Sequence, residues 1–375
     1  MARLAGAIMP GAGASVGPLN LESDELLPLP TAEWVRLRIR MAGICGSDLS
    51  LIDGTASAYF DPLVSYPFTP GHEVVADVQN ADGTDRRVVL VPVLSCITRG
   101  INPVCQSCAA GQINLCERAA FGHLSPGLQS GFCSDTGGGW SHQMVAHPSQ
   151  LIDVPTEFSD EAAVLIEPTA CAAHAAARYT GNETVIIGAG TLGLLTLAAI
   201  TATRDKVRNA PIVVTARYAE QKRLAKELGA DVVCSTDEMP RYVRSSTNSL
   251  VFGDQLTCGA PHVIDCVGSS DSLQQALRVV APGGEVQVVG MPSNVSLELT
   301  SLWHREVAIR GCYAYTHADF HTAIGVIRQH DLGRLVSATY PLKDYTDAIA
   351  HAAAAGRRGA VKIAFDLRAV ELKGS

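Results

Sequence analysis

Twelve residues constrain the fold more than any others. Thr184 to Leu195 reads TVIIGAGTLGLL: a β-branched apolar run, then Gly188, Gly190 and Gly193 in the spacing GxGxxG, then the helix-compatible continuation LLTLAAITAT. Each glycine has a separate reason to be one. Gly188 permits a tight turn, Gly190 lets backbone approach a pyrophosphate, and Gly193 lets the helix pack close to the strand. The unpaired N–H groups that open the helix, at Thr191 and Leu192, then face phosphate oxygens. A strand before the glycines and a helix after them is the setting in which this motif signals a dinucleotide.

The chain beyond Leu195 supports that reading. Strands are expected at 184–187, 212–215, 231–234, 262–265 and 285–289, with amphipathic helices at 219–228 and 271–280, the second stopped by Pro282-Gly283-Gly284. Such alternation predicts an α/β doubly wound parallel sheet. An acidic residue at the end of the second strand would select NAD through the ribose 2′-hydroxyl. Here Ala216, Arg217 and Tyr218 come after Ile212–Thr215. Ala216 removes a charge that would repel a 2′-phosphate and Arg217 supplies a planar cation for it, so NADP(H) is expected over NAD(H). Cys266 and Val267 end a later strand on the same cofactor edge.

The first 150 residues read differently. Trp34, Leu37, Ile39 and Met41 alternate with Arg36, Arg38 and Arg40, a half-buried strand over 33–42, and two more strands are expected at 74–78 and 87–93 around an Asn80–Gly83 turn. From 102 to 139 the chain is rich in Gly, Cys and Pro with little periodicity, an excursion that needs a cross-link to be ordered. An Ala-rich helical stretch over 156–177 is expected to be interrupted at Pro168. The last section carries a helical run at 318–328 and a strand at 361–365. At 375 residues with 47% hydrophobic and 18% charged residues, the chain suits about two globular domains. A net charge of −8 without a basic run recommends neither nucleic acid nor an anionic membrane as partner. The N-terminal MARLAGAIMPGAGAS makes a poor secretory signal, so the cytoplasm is expected.

Eleven cysteines are too clustered for a disulfide framework. Cys45 lies in GICGSD just after the first strand, and His72-Glu73 lie 27 residues beyond it. Cys, His and Glu are all ligands that Zn²⁺ accepts. Cys105-x2-Cys108-x7-Cys116, with Cys96 upstream, offers thiolates for a tetrahedral structural zinc that would fold the excursion.

Taken together, GICGSD, TPGHE, the cysteine lobe, GGGW, LIEPTACAAHA, VIIGAGTLGLL and PGGEVQVVG resemble the zinc-dependent medium-chain dehydrogenase/reductase family of alcohol and polyol dehydrogenases. The resemblance implies a GroES-like β-rich catalytic domain split around an inserted Rossmann domain, at 1–168 with 312–375 and at 169–311, and a cleft between them. It places Cys45 and His72 on a catalytic zinc, with Glu73 binding directly or swinging in and out, and Glu167 as a further or water-mediated ligand. Ser47 matches the hydroxyl that relays the substrate proton, and Gly290 and Met291 fall on the cofactor side. Two departures stand out. Ser50 replaces the outer relay His, and Asn102 occupies the first structural-zinc position, leaving Cys96 as a displaced ligand or the site three-coordinate or empty. The family implies a small-molecule alcohol or carbonyl substrate and a homodimer or homotetramer. The alternatives are reduction of a conjugated C=C or C=N bond, and a nucleotide-binding protein without turnover. Ser50, Tyr59, Phe60 and Trp140 are candidate pocket residues, while Cys234, Cys258, Cys266 and Cys312 read as packed small hydrophobes.

Overall fold

The computed structural model describes residues 2–5, 19–23, 26–80, 82–204, 210–291 and 294–368. The chain forms two compact units, one of residues 1–167, 331–355 and 362–375, the other of residues 168–330 and 356–361. These limits differ from 169–311. The helix His317–His330 groups with the glycine-loop unit, where Asp319 meets His174 at 3.0 Å and His330 approaches Thr201 at 3.5 Å. Sequence periodicity finds such a helix but not the surface it packs on.

The first unit is built on a seven-stranded sheet. Strand Val35–Gly43 is its spine, pairing antiparallel with Val74–Gln79, Lys362–Asp366 and, along its first half, Gln143–Ala146. Leu37, Ile39 and Met41 are buried while Arg36 and Arg38 face solvent, the expected period of two. Buried Asp160 locks the helical corner at Asp160–Ala163 to this sheet. It accepts from Arg40 at 3.0 Å, from Arg87 at 3.0 Å and from Arg368 at 3.3 Å. The helical stretch breaks at Val164-Leu165, not at Pro168. Pro168 sits in the first turn of helix Ile166–Ala176, where a missing N–H leaves no helical bond unmade.

The second unit holds a six-stranded parallel sheet in the order Val232–Cys234, Ile212–Thr215, Thr184–Ile187, Ala260–Asp265, Val280–Val288, Ala308–Gly311. Numbered along the chain this is 3-2-1-4-5-6, the doubly wound order with its reversal point beside the first strand. Helix Met239–Ser246, without a clear sequence signal, is held by fully buried Met239 and Val243. Among the described residues no helix is long and apolar enough to cross a membrane.

Candidate functional site

In the first unit, one ligand atom each of Cys45, His72 and Glu73 lie within 4.8 Å of one another. The spine strand ends at Gly43, and Cys45 caps the short helix Gly46–Ile52 that comes next. Asp48, in its first turn and fully buried, accepts from the Cys45 amide at 2.9 Å. Its other oxygen lies 3.3 Å from His72 Nδ1, without hydrogen-bond geometry. Burial opposes protonation of His72, but Asp48 and Cys45 outweigh it and hold the imidazole well above its usual pKa. Phe132 tilts against the same ring at 5.6 Å between centroids. Glu73 is 1% exposed, and Lys362, also buried, sets its ammonium against the carboxylate, 2.5 Å from Oε1 and 3.1 Å from the Ile44 carbonyl. Gly43 makes room for this pair, because a Cβ there would stand 1.8 Å from Glu73 Oε2.

This donor set fits a divalent cation. A thiol, an imidazole and a carboxylate converge in a buried, anion-rich corner, and Asp48 Oδ1 and His72 Nδ1 lack hydrogen-bond partners there, while both Glu73 oxygens face the Lys362 ammonium. Glu167 is buried but stands outside the converging trio; its charge acts on Lys362. Ser47 and Ser50 are half-buried on the Gly46–Ile52 helix. Trp140 is a core residue, 0% exposed, stacked edge-on against Phe365 and donating to the Gly43 carbonyl at 3.2 Å. Tyr59 is 73% exposed.

The thiols of Cys96, Cys105, Cys108 and Cys116 also lie within 4.8 Å of one another, and Cys96 Sγ is 3.7 Å from Cys116 Sγ. The amides of Cys105 and Cys108 donate to sulfur, at 3.3 Å to Cys96 and 3.4 Å to Cys105. Burial resists ionisation of Cys105, but the Cys108 and Glu117 amides and the thiols of Cys108 and Cys96 prevail and bring its pKa down to about 7. Arg99 organises the surrounding loop. Fully buried, it donates to the carbonyls of Leu94, Phe121, Leu124, Ser125 and Gly127.

In the second unit, Gly188 has φ +94°, and a Cβ on Gly193 would lie 1.8 Å from the Gly188 carbonyl oxygen. Gly190 caps helix Thr191–Thr203 with no side chain to occupy the N–H groups, which leaves them to a phosphate. Thr191 and Leu192 are half-buried in its first turn. Fully buried Asp265 shapes the facing loop by accepting from the amides of Val267 at 2.9 Å and Gly268 at 3.2 Å. Gly290 packs so tightly on that loop that a Cβ would stand 2.5 Å from the Val267 carbonyl carbon; Val267 and Met291 are 48% and 36% exposed. Cys266 is pushed up to about 12 by burial and is therefore a neutral thiol. Ala216 is buried, Arg217 is exposed, and Tyr218 receives the Arg217 guanidinium 5.8 Å from its ring centroid. Cys234 is buried as expected, but Cys258 is exposed: it comes just after the hairpin Val251–Phe252/Gln255–Leu256, which the sequence did not signal.

Comparison with known proteins decides the family. Residues 31–156 match the alcohol dehydrogenase GroES-like domain and residues 195–329 the zinc-binding dehydrogenase domain. L-Idonate 5-dehydrogenase of Vitis vinifera is 31% identical over 354 residues, covering 89% of this chain and 88% of that protein. The chain belongs to the zinc-dependent medium-chain alcohol and polyol dehydrogenases. Sorbitol dehydrogenase of Halalkalibacterium halodurans is 26% identical over 346 residues, covering 90% of this chain and 92% of its own length. L-Idonate 5-dehydrogenase of Escherichia coli shares the fold, with a TM-score of 0.71 at 22% identity over 97% of each chain. The fold is thus a GroES-like β-rich domain with a Rossmann domain, and the chain is an oxidoreductase of this dehydrogenase family. Lys362, Asp48 and Arg99 belong beside its site residues although sequence reasoning gave them no role. Of the three only Lys362 carries a local signal, a lysine within the apolar run AVKIAF.

Proposed function

We propose that this dehydrogenase exchanges hydride between NADP(H) and an alcohol/carbonyl pair, with zinc held by Cys45, His72 and Glu73, and Glu167 adjoining. The substrate class is a secondary alcohol, polyol or sugar, which the sorbitol and L-idonate dehydrogenases among its relatives support. The observation that carries the proposal is the buried meeting of three unlike donor types with unsatisfied polar atoms among them. Bound zinc supplies Lewis acidity that lowers the pKa of an alcohol. The chain's own residues do the rest. Asp48 holds the Cys45 amide and stands against the His72 ring, fixing both donors. Lys362 donates to Glu73 and sets where its carboxylate lies. Ser47, two residues after Cys45, takes the alcohol proton outward, and Ser50 one turn along the helix is its next polar group. A second, structural zinc is proposed on Cys96, Cys105, Cys108 and Cys116.

On the cofactor side, Gly188, Gly190 and Gly193 admit the pyrophosphate, and the absence of a carboxylate at Ala216 admits a 2′-phosphate. Competition of NADPH against NADH for the purified chain tests this half: NADPH should bind at least about tenfold more tightly, the worth of one charge-assisted hydrogen bond. A tenfold preference for NADH would sink it.

A further inference from the structure

We infer that Arg357 and Arg358, far along the chain from the glycine loop, complete with Arg217 the site for the adenosine 2′-phosphate; the inference rests on the NADP(H) reading. Residues 356–361 group with the dinucleotide unit although the residues on both sides of them group with the other. Two anchors fix this short segment along the nucleotide edge. At one end Thr191, the first residue of the helix after the glycine loop, donates its hydroxyl to the Val361 carbonyl at 3.1 Å. At the other end Gly356 presses on Tyr218: a Cβ there would lie 2.4 and 2.5 Å from the ring carbons Cδ2 and Cε2 and 3.2 Å from Gln221 Nε2. Gln221 Oε1 in turn accepts from the amides of Arg217 and Tyr218, both at 3.3 Å. The segment therefore spans from the pyrophosphate end of the edge to the ribose end, and the next two residues after the Tyr218 contact are both arginines.

Charge supports the assignment. Arg217, Arg357 and Arg358 are all exposed, and among the described residues none forms an ion pair. The neighbouring acids are already engaged, because Glu220 and Glu227 both pair with Arg223. Ala216 contributes no carboxylate. The Arg217 guanidinium lies 5.8 Å from the Tyr218 ring centroid, and the chain runs directly from the Gly356 contact on that same ring into Arg357 and Arg358. Three cationic residues at one edge without a counter-charge favour a dianion, and guanidinium presents paired donors that match phosphate oxygens. A phosphate on the ribose 2′ position at the end of the second strand is the anion this edge of a doubly wound sheet would receive.

The test needs no turnover. Binding of adenosine 2′,5′-bisphosphate and of 5′-AMP to the full chain is measured by calorimetry for the wild type, R357Q/R358Q and Gly356→Val, the last of which forces the turn off Tyr218. The wild type is expected to favour the bisphosphate more than about tenfold, and both variants to lose about tenfold for the bisphosphate while 5′-AMP changes less than about twofold. A bisphosphate preference that persists unchanged in R357Q/R358Q overturns the assignment and leaves the NADP(H) reading intact. A wild type indifferent to the 2′-phosphate removes that reading, and the assignment with it.

Discussion

Replacing Lys362 by Met should destabilise the metal-free protein by about 3–5 kcal/mol, the usual cost of stranding one partner of a buried ion pair. Lys362 and Glu73 are 2% and 1% exposed, and the ammonium lies 2.5 Å from Oε1. At an effective dielectric constant of about 20 that separation is worth about 6–7 kcal/mol of attraction, offset by several kcal/mol of desolvation for each ion. The pair is thus nearly neutral as a unit, but Met leaves the buried Glu73 carboxylate without its ammonium partner. It also removes the donor to the Ile44 carbonyl, about 1 kcal/mol more. For a unit of this size the loss corresponds to a fall in Tm of roughly 6–20 °C. Thermal unfolding of the wild type, K362M, Glu73→Gln and the double variant, all chelated, closes the cycle. Neutralising Glu73 in the K362M background should recover most of the loss. A cost below about 1 kcal/mol for K362M, or no recovery in the double variant, would refute the idea that burial of Glu73 depends on Lys362.

Two further predictions concern other parts of the molecule. Zinc content should be two per chain in the wild type and one in Cys96→Ser, with Asn102→Ala unchanged at two; two zincs in the Cys96 variant would assign the fourth position to another group. Asp319 caps helix His317–His330: burial raises its pKa, but donation from His174 at 3.0 Å and from the Thr316 amide and hydroxyl at 2.7 and 2.8 Å outweighs it and leaves the folded value below the usual 3.8. A lowered carboxylate pKa means stability present above 3.8 and lost as pH falls through the folded value. Asp319→Asn should flatten that acid limb in a pH series of unfolding curves, and an unaltered limb would count against the cap.

Local constraints were legible in the sequence, and long-range packing was not. Gly188 and Gly193 must be glycine for reasons contained within six residues, and the structure repeats those reasons as a positive φ and a 1.8 Å approach. The clustered thiols announce themselves by density, and the displaced Cys96 joins Cys105, Cys108 and Cys116 in space. Lys362, by contrast, meets a carboxylate 289 residues away, a separation that no periodicity encodes. Arg99 satisfies five carbonyls of an irregular loop, a role visible only once the loop has a path. The unit boundary at 331 obeys the same rule, since helix His317–His330 is amphipathic wherever it packs.

The most direct test of zinc-dependent hydride transfer at Cys45, His72 and Glu73 is isotopic. Secondary alcohols and polyols deuterated at the carbinol carbon are incubated with the chain and NADP⁺, and C4 of the nicotinamide is read by mass spectrometry. Deuterium should arrive at C4 with the zinc-loaded wild type and be absent with Cys45→Ser, which still binds adenosine 2′,5′-bisphosphate. Undiminished transfer by the Cys45 variant, or by the chelated wild type, would contradict the account.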